Sequence, residues 1–282
     1  MSVEIIQQKL LSYQCQTVIE QENALKEIAQ EIALMALSRS GFFKKAAFQG
    51  GTCLRILYGL ERFSEDLDFI LDEPDENFTW DNYVSGMHDE FELYGYTLEV
   101  INRNKLDKVI RTAFLKAESL GGILVIKDKR TNRPKLQIKL EIDTNPPAGS
   151  AYELKYLDFP LPYGIKTQDL SSLFAGKIHA LLCRPFTKGR DWYDFVWYVS
   201  RKTPINFLLL NHAVLQKSPW ENVSVDASWL FEKLAEKINH ANWDEARKDV
   251  KRFLKPRELL TLDLWSKEFF LSRLEKVSAY TK

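Results

Sequence analysis

The sequence predicts an α+β protein, a mixed β-sheet flanked by helices and followed by a helical C-terminal region. Three observations predict it. Short β-like runs alternate with helical patterns up to about residue 165, and only helical periodicity follows. Two of the strand-like runs also set acids on one face and apolar residues on the other. With 282 residues, 45% of them apolar, the chain is long enough to bury a full core. The division is expected at 1–165 and 166–282.

Over residues 17–37, Val18, Leu25, Ile28, Ile32, Leu34 and Ala36 recur at helical spacing, and Ser40 with Gly41 supplies a stop. KAAFQGGTCLRILYGL then passes from a short strand through a Gly-Gly turn into a second helix, and DLDFIL alternates as a strand. After an acidic linker at 72–76, a helix is expected over 79–94 and a strand in TLEVINR. KVIRTAFLKAES, GGILVIKD and KLQIKLEID read as an antiparallel meander broken at Gly121, at Gly122 and at KRTNRP. From Asp169 onward the expected helices are DLSSLFAGKIHALLCR, GRDWYDFVWYVS, INFLLLNHAVLQ, SWLFEKLAEKINH, WDEARKDVKRFLK and a last segment from Leu262.

No apolar run approaches the roughly 20 residues a bilayer span needs. The start, MSVEIIQQKLL, has an acid and glutamines where a secretory signal has bases and a long apolar stretch, so a cytoplasmic protein is expected. Cys15, Cys53 and Cys183 are odd in number and without a CxxC, which suggests packing roles. The formal net charge is zero, which by itself argues against a polyanionic partner. Position reverses that message. Residues 61–100 hold 13 acids against Arg62 alone, a net of −12, so the rest of the chain carries +12. Residues 101–140 hold 11 bases against three acids, and 247–257 hold six against Asp249.

In SEDLDFIL, period-two alternation puts Ser64, Asp66 and Asp68 on one strand face, and Leu67 and Phe69 on the other. Two carboxylates on adjacent pleats repel each other, and a divalent cation between them relieves the repulsion. KLQIKLEID has the same parity: Lys139, Glu141 and Asp143 face one way, Ile138, Leu140 and Ile142 the other. A third carboxylate on a neighbouring strand completes an oxygen-rich site for one or two Mg²⁺ ions. An isolated DxD also fits a solvated strand edge. Upstream, Gly50 and Gly51 before a helix let backbone approach an anion at the helix N-terminus.

FQGGTCLRILYGLERFSEDLDFIL, KLEID and KIHALLCRPFTKGRDWYDFVWYV together resemble three motifs of the nucleotidyl transferase AbiEii/AbiGii toxin family, within the DNA polymerase β-like nucleotidyltransferase superfamily. The resemblance spans roughly residues 45–200 and implies a catalytic nucleotidyltransferase domain over 1–165. It implies that Gly50, Gly51, Thr52, Arg55 and Ser64 hold the triphosphate of an NTP, and that Asp66 and Asp68 bind the metal. The third carboxylate would be Glu141, with Asp143 as the alternative. Lys177 and Arg184 would contact nucleotide phosphate, and Asp191 would orient Lys177. A cognate antitoxin and an acceptor hydroxyl, with a tRNA 3′ end first, are also implied. Transfer to a small molecule or protein, or nucleotide binding without turnover, are the alternatives.

Lys177 adds a reading independent of the family. It interrupts the apolar stripe Leu170, Leu173, Phe174 and Leu181, so either an anion lies opposite it or its stem snorkels to water. Arg190 and Asp194, four apart, fit an intrahelical pair, and Trp192, Tyr193 and Trp197 fit the core. His179 has no assigned role. The run Arg247, Lys248, Lys251, Arg252, Lys255 and Arg257, expected on one helix, is either a solvated face or a phosphate track, and 103–139 offers a second such patch. No phosphate loop, HExxH, GxSxG or GxGxxG is present.

Overall fold

The first long helix begins where its capping chemistry is complete. Thr17 Oγ1 accepts from the Glu20 amide at 3.2 Å, and the Glu20 carboxylate accepts from Thr17 N at 3.2 Å, a reciprocal box that satisfies two orphan donors. In a computed structural model, which describes residues 2–102, 119–128, 136–220 and 223–280, the chain divides into two compact units. One, here the sheet unit, comprises Met1–Gly59, Phe63–Pro146 and Glu153–Thr167. The other, the helical unit, comprises Leu60–Arg62, Pro147–Tyr152 and Gln168–Lys282. Two short pieces that a linear division at 165 leaves with the sheet thus belong with the helices.

In the sheet unit, α1 (Ser2–Ser12) and α2 (Val18–Arg39) lead through a 3-10 turn into β1 (Ala46–Gln49), α3 (Gly50–Tyr58) and β2 (Leu67–Leu71). Then come α4 (Asp81–Leu93), β3 (Tyr96–Asn102), β4 (Ser119–Asp128) and β5 (Leu136–Asp143), and last β6 (Tyr152–Leu157) and β7 (Tyr163–Gln168). The sheet order is β3-β4-β5-β2-β1-β7-β6. The meander β3-β4-β5 is antiparallel as expected, while β5 runs parallel to β2 and β7 parallel to β1, so the sheet is mixed. Strands β6 and β7 are additions to the expected pattern. KVIRTAFLKAES, apart from Ser119, and KRTNRP lie outside the described residues, as does most of the basic patch at 103–139.

Apolar alternation decides which face is core. Leu67 and Phe69 of β2 and Ile138, Leu140 and Ile142 of β5 are buried, and Phe42, Phe69, Phe78 and Trp80 meet edge-on or stacked beneath them. One expectation is corrected here. Strand β2 begins at Leu67, so Ser64 and Asp66 precede the ladder rather than lie within it.

The helical unit contains α5 (Leu170–Cys183), α6 (Gly189–Ser200), α7 (Phe207–Gln216), α8 (Ala227–His240), α9 (Trp243–Lys251), α10 (Pro256–Leu259) and α11 (Lys267–Tyr280). Asp169, Asn206, Asp226 and Asn242 cap four of these by accepting an amide three residues on. The basic run at 247–257 does not lie on one helix: α9 stops at Lys251, and Pro256 opens α10. A core of Phe174, Trp192, Phe195, Tyr198, Trp243 and Phe270 fills the unit. Gly189 is required at its position, because a Cβ there would meet the backbone of Ala246 in α9. Trp192 and Trp197 are core residues, as the pattern indicated.

Candidate active site

Parallel pairing puts Asp68 directly opposite Glu141, and Ile70 opposite Asp143. Directly paired residues share a face, so Asp68 and Glu141 are neighbours on the open side of the sheet, and Asp143 lies two positions further along it. Asp66, Asp68 and Glu141 are half-buried. On the other flank of β2, Gln49 pairs with Asp68, and the next residue, Gly50, turns the chain into α3 with φ of +79°. A Cβ on Gly50 would stand 2.9 Å from the Asp68 Cβ and would collide with its carboxylate. Glycine at 50 is therefore needed twice, for its backbone angle and for its closeness to Asp68.

Other expected residues fall around this group with internal partners. Thr52 is fully buried, and its hydroxyl donates to the Asp66 carbonyl, which ties α3 to the chain just before β2. Arg55 donates through Nε to Glu27 Oε2 at 2.8 Å and lies 4.6 Å over the Phe63 ring. The Ser64 carbonyl accepts from Gln30 Nε2 at 3.1 Å. Glu141 is paired with Lys139, which shares its face. Gly50, Thr52, Asp66, Asp68 and Glu141 thus come together in the sheet unit, and Ser64 and Arg55 border them.

A second group lies within the helical unit. Lys177 Nζ reaches Asp191 Oδ1 at 2.7 Å and Asp194 Oδ2 at 2.9 Å, which supplies the anion that the interrupted stripe calls for. Arg184 Nε lies 2.9 Å from Asp191 Oδ2, and Arg62 grips Asp194 through Nε and Nη2 at 2.6 Å each. Arg62, Asp191 and Asp194 are all 2% exposed or less. Burial would lower the Lys177 pKa, but the two carboxylates outweigh it and hold the ammonium well above its ordinary range. Burial would likewise raise that of Asp191, yet Lys177, Arg184 and Lys188 bring it down to about 2. Arg190, expected to pair within its helix with Asp194, faces Asp249 of α9 instead and lies 4.5 Å over Phe253. His179 meets the Lys217 carbonyl at 3.0 Å.

Sequence reading missed Gln30, Glu27 and Asp194 as organising residues. For Gln30 the signal was present: a glutamine between Ile28 and Ile32, 1% exposed, in the buried run of α2. Among the described residues no group of three His, Cys, Asp or Glu side chains converges closely enough to hold a metal by itself, and no helix is long and apolar enough to cross a membrane.

The fold is similar to that of JHP933 from Helicobacter pylori (TM-score 0.53, 16% identity, 92% of this chain and 91% of that one). It is also similar to MenT4, a nucleotidyltransferase toxin from Mycobacterium tuberculosis H37Rv (TM-score 0.51, 16% identity, 100% of both chains). No curated protein matches the sequence. The model of the nucleotidyl transferase AbiEii toxin family, of type IV toxin–antitoxin systems, matches residues 32–273 and so takes in both groups of charged residues. The chain belongs to that family, and it is a nucleotidyltransferase.

Proposed function

We propose that the protein transfers a nucleotide from an NTP to an acceptor hydroxyl in the presence of Mg²⁺, at a site built on Asp66, Asp68 and Glu141. The observation that carries this reading is the register of β2 against β5, with Asp68 opposite Glu141 and Gly50 pressed against Asp68. Half-exposed carboxylates are a hard-oxygen donor set, and Mg²⁺ is ordinarily held by one or two carboxylates plus substrate phosphates rather than by an all-protein cage. A site short of three converging protein ligands fits that habit. When bound, Mg²⁺ neutralises charge on the attacking and leaving oxygens of an in-line displacement.

The chain's own residues supply the rest. Gly50, Gly51 and the start of α3 offer backbone amides to the triphosphate, and Ser64 borders them. Glu141 accepts the proton of the acceptor hydroxyl. A new oxygen–phosphorus bond then forms at the α-phosphorus, the bond to the β-phosphate breaks, and pyrophosphate leaves. Lys177 and Arg184 contact nucleotide phosphate in this reading, and Asp191 sets the Lys177 ammonium. The preferred acceptor is RNA, with a tRNA 3′ end first. The −12 segment supports this, since it leaves +12 on the remainder of a formally neutral chain. Membership in a type IV toxin–antitoxin family supports a cognate antitoxin as partner.

Incubation of the purified protein with each labelled NTP, Mg²⁺ and total RNA tests the reading. Label in RNA that disappears with chelator or with Asp66→Ala is the expected result. Label in protein or small-molecule fractions moves the acceptor, and Mg²⁺-dependent NTP binding without any transfer leaves a binding module.

A further inference from the structure

Asp66 and Asp68 stand two residues apart, and the fold holds them by different means. Asp68 lies inside the ladder, paired with Gln49 on one flank and with Glu141 on the other. Asp66 precedes the ladder, which begins at Leu67. Backbone outside helix and ladder takes its shape from individual anchors. Here two anchors come from helices of the same unit. The fully buried Thr52 of α3 donates its hydroxyl to the Asp66 carbonyl, and Gln30 of α2, 1% exposed, donates through Nε2 to the Ser64 carbonyl at 3.1 Å. Between them, Lys26 of α2 lies 3.3 Å from the Glu65 carboxylate. All of these residues belong to the sheet unit.

Peptide groups are planar, so holding the carbonyls of Ser64 and Asp66 leaves only the φ and ψ of residues 65 and 66 to vary between them. Those torsions aim the Asp66 carboxylate. Two carboxylates so close along the chain repel each other, and the one outside the ladder is the one that would give way. Gln30 is costly by itself. Among the described residues nothing donates to its buried Oε1, and an unsatisfied buried acceptor counts against stability. An apolar side chain in this buried run between Ile28 and Ile32 would avoid that cost, so what glutamine adds is its bond to Ser64.

We propose that Thr52 and Gln30 are positioning residues for nucleotidyl transfer: through the Asp66 and Ser64 carbonyls they fix the backbone that presents the Asp66 carboxylate beside Asp68. The proposal rests on the reading that Asp66 belongs to the reacting site. Neither side chain touches substrate in it.

The test uses the full chain with Thr52→Val, which keeps the shape and loses the hydroxyl, Thr52→Ser, which keeps the hydroxyl, and Gln30→Leu. Hydrogen–deuterium exchange is followed at the amides of 64–67, and kcat and KM for the NTP are measured alongside. For Thr52→Val and Gln30→Leu the expected result is exchange at 64–67 at least about tenfold faster, as local opening becomes easier. A misplacement of about 1 Å costs on the order of a hundredfold in rate, so kcat should fall about 10- to 100-fold while KM for the NTP stays within about twofold. Thr52→Ser should stay close to wild type in both measurements. A merely structural role would lower the folded fraction and leave the kcat of the folded protein intact. Wild-type exchange in both Thr52→Val and Gln30→Leu overturns the proposal, as does faster exchange with wild-type kcat, or a loss in Thr52→Ser as large as in Thr52→Val. A response in only one of the two positions removes the other residue from the role. If Thr52→Val does not fold, Gln30→Leu decides by the same measurements. A wild-type protein that transfers nothing from any NTP overturns the transfer reading and this proposal with it, whereas wild-type transfer with unaltered variants overturns this proposal alone.

Discussion

The two groups of acids in this molecule are made of the same side chains and behave oppositely. Asp66, Asp68 and Glu141 of the sheet unit are half-buried, on or beside adjacent strands that open to solvent. Asp191 and Asp194 of the helical unit are 2% and 0% exposed, and Arg62, Lys177 and Arg184 already neutralise them. An open carboxylate pair can accept a cation from solution. A buried pair must bring its own, since an isolated buried charge is very costly. Burial, rather than residue type, therefore separates carboxylates that solvent can reach from carboxylates whose cations are built into the fold.

The sharpest way to break that distinction is to remove one acid from each group. Asp194→Ala removes the carboxylate that both arms of the Arg62 fork hold, and should cost about 3–5 kcal/mol in urea unfolding. Asp68→Asn should cost clearly less in unfolding than Asp194→Ala, yet lower nucleotide transfer by about 100- to 1,000-fold, the scale of losing one charge-stabilising group. Equal stability losses in the two variants would abolish the contrast.

The two units should also answer pH in opposite directions. In the sheet unit, burial raises the Glu31 carboxyl from its ordinary 4.5 to about 7, against the pull of Lys9 at 2.9 Å. A raised folded value means that the folded chain binds the proton more readily than the unfolded one. This contribution is fully present below 4.5 and is lost as pH rises through about 7. This contribution to stability should therefore be greater at pH 5 than at pH 8 by about 2.5 kcal/mol, and Glu31→Gln should remove that dependence. In the helical unit Asp191 is depressed from its ordinary 3.8 to about 2, so its contribution is present above 3.8 and lost as pH falls through about 2. It should amount to about 2 kcal/mol and leave the range from pH 5 to 8 flat. Difference titrations of wild type against Glu31→Gln and Asp191→Asn check both signs.

The smallest expected effect concerns backbone. Gly50→Ala forces φ of +79° on an L side chain, about 1–2 kcal/mol, and drives its methyl into Asp68. Unfolding should register that modest loss. Transfer should fall by more than the stability change accounts for, and activity that merely follows the folded fraction would detach Gly50 from the site.

Local pattern carried much of this into view. The alternation in DLDFIL and KLEID placed Asp68 and Glu141 on one face and Phe69 and Ile142 on the other, because strand geometry leaves only two faces. Lys177 stood out because a cation interrupting an apolar stripe either faces an anion or sends its stem to water, and Asp191 and Asp194 supply the anion. Local pattern misled where a competing partner was remote. Arg190 lies one turn before Asp194, yet Asp194 is taken by Arg62, 132 residues away, and by Lys177. Strands β6 and β7 were not anticipated. The exposed face of β6 alternates Tyr152, Leu154 and Tyr156 outward, the reverse of the usual apolar-inward pattern.

The sequence by itself determined the α+β class, the charge asymmetry hidden in a neutral total, the acid-bearing strands and the family motifs. Each of these is a property of neighbouring residues or of a running count. Only the tertiary structure decided that Asp68 stands opposite Glu141, that Gly50 has no room for a side chain, and that Arg62 is fixed by Asp194. Strand register and buried ion pairing are set by which distant segments exclude water from one another. The spacing along the chain does not encode that choice.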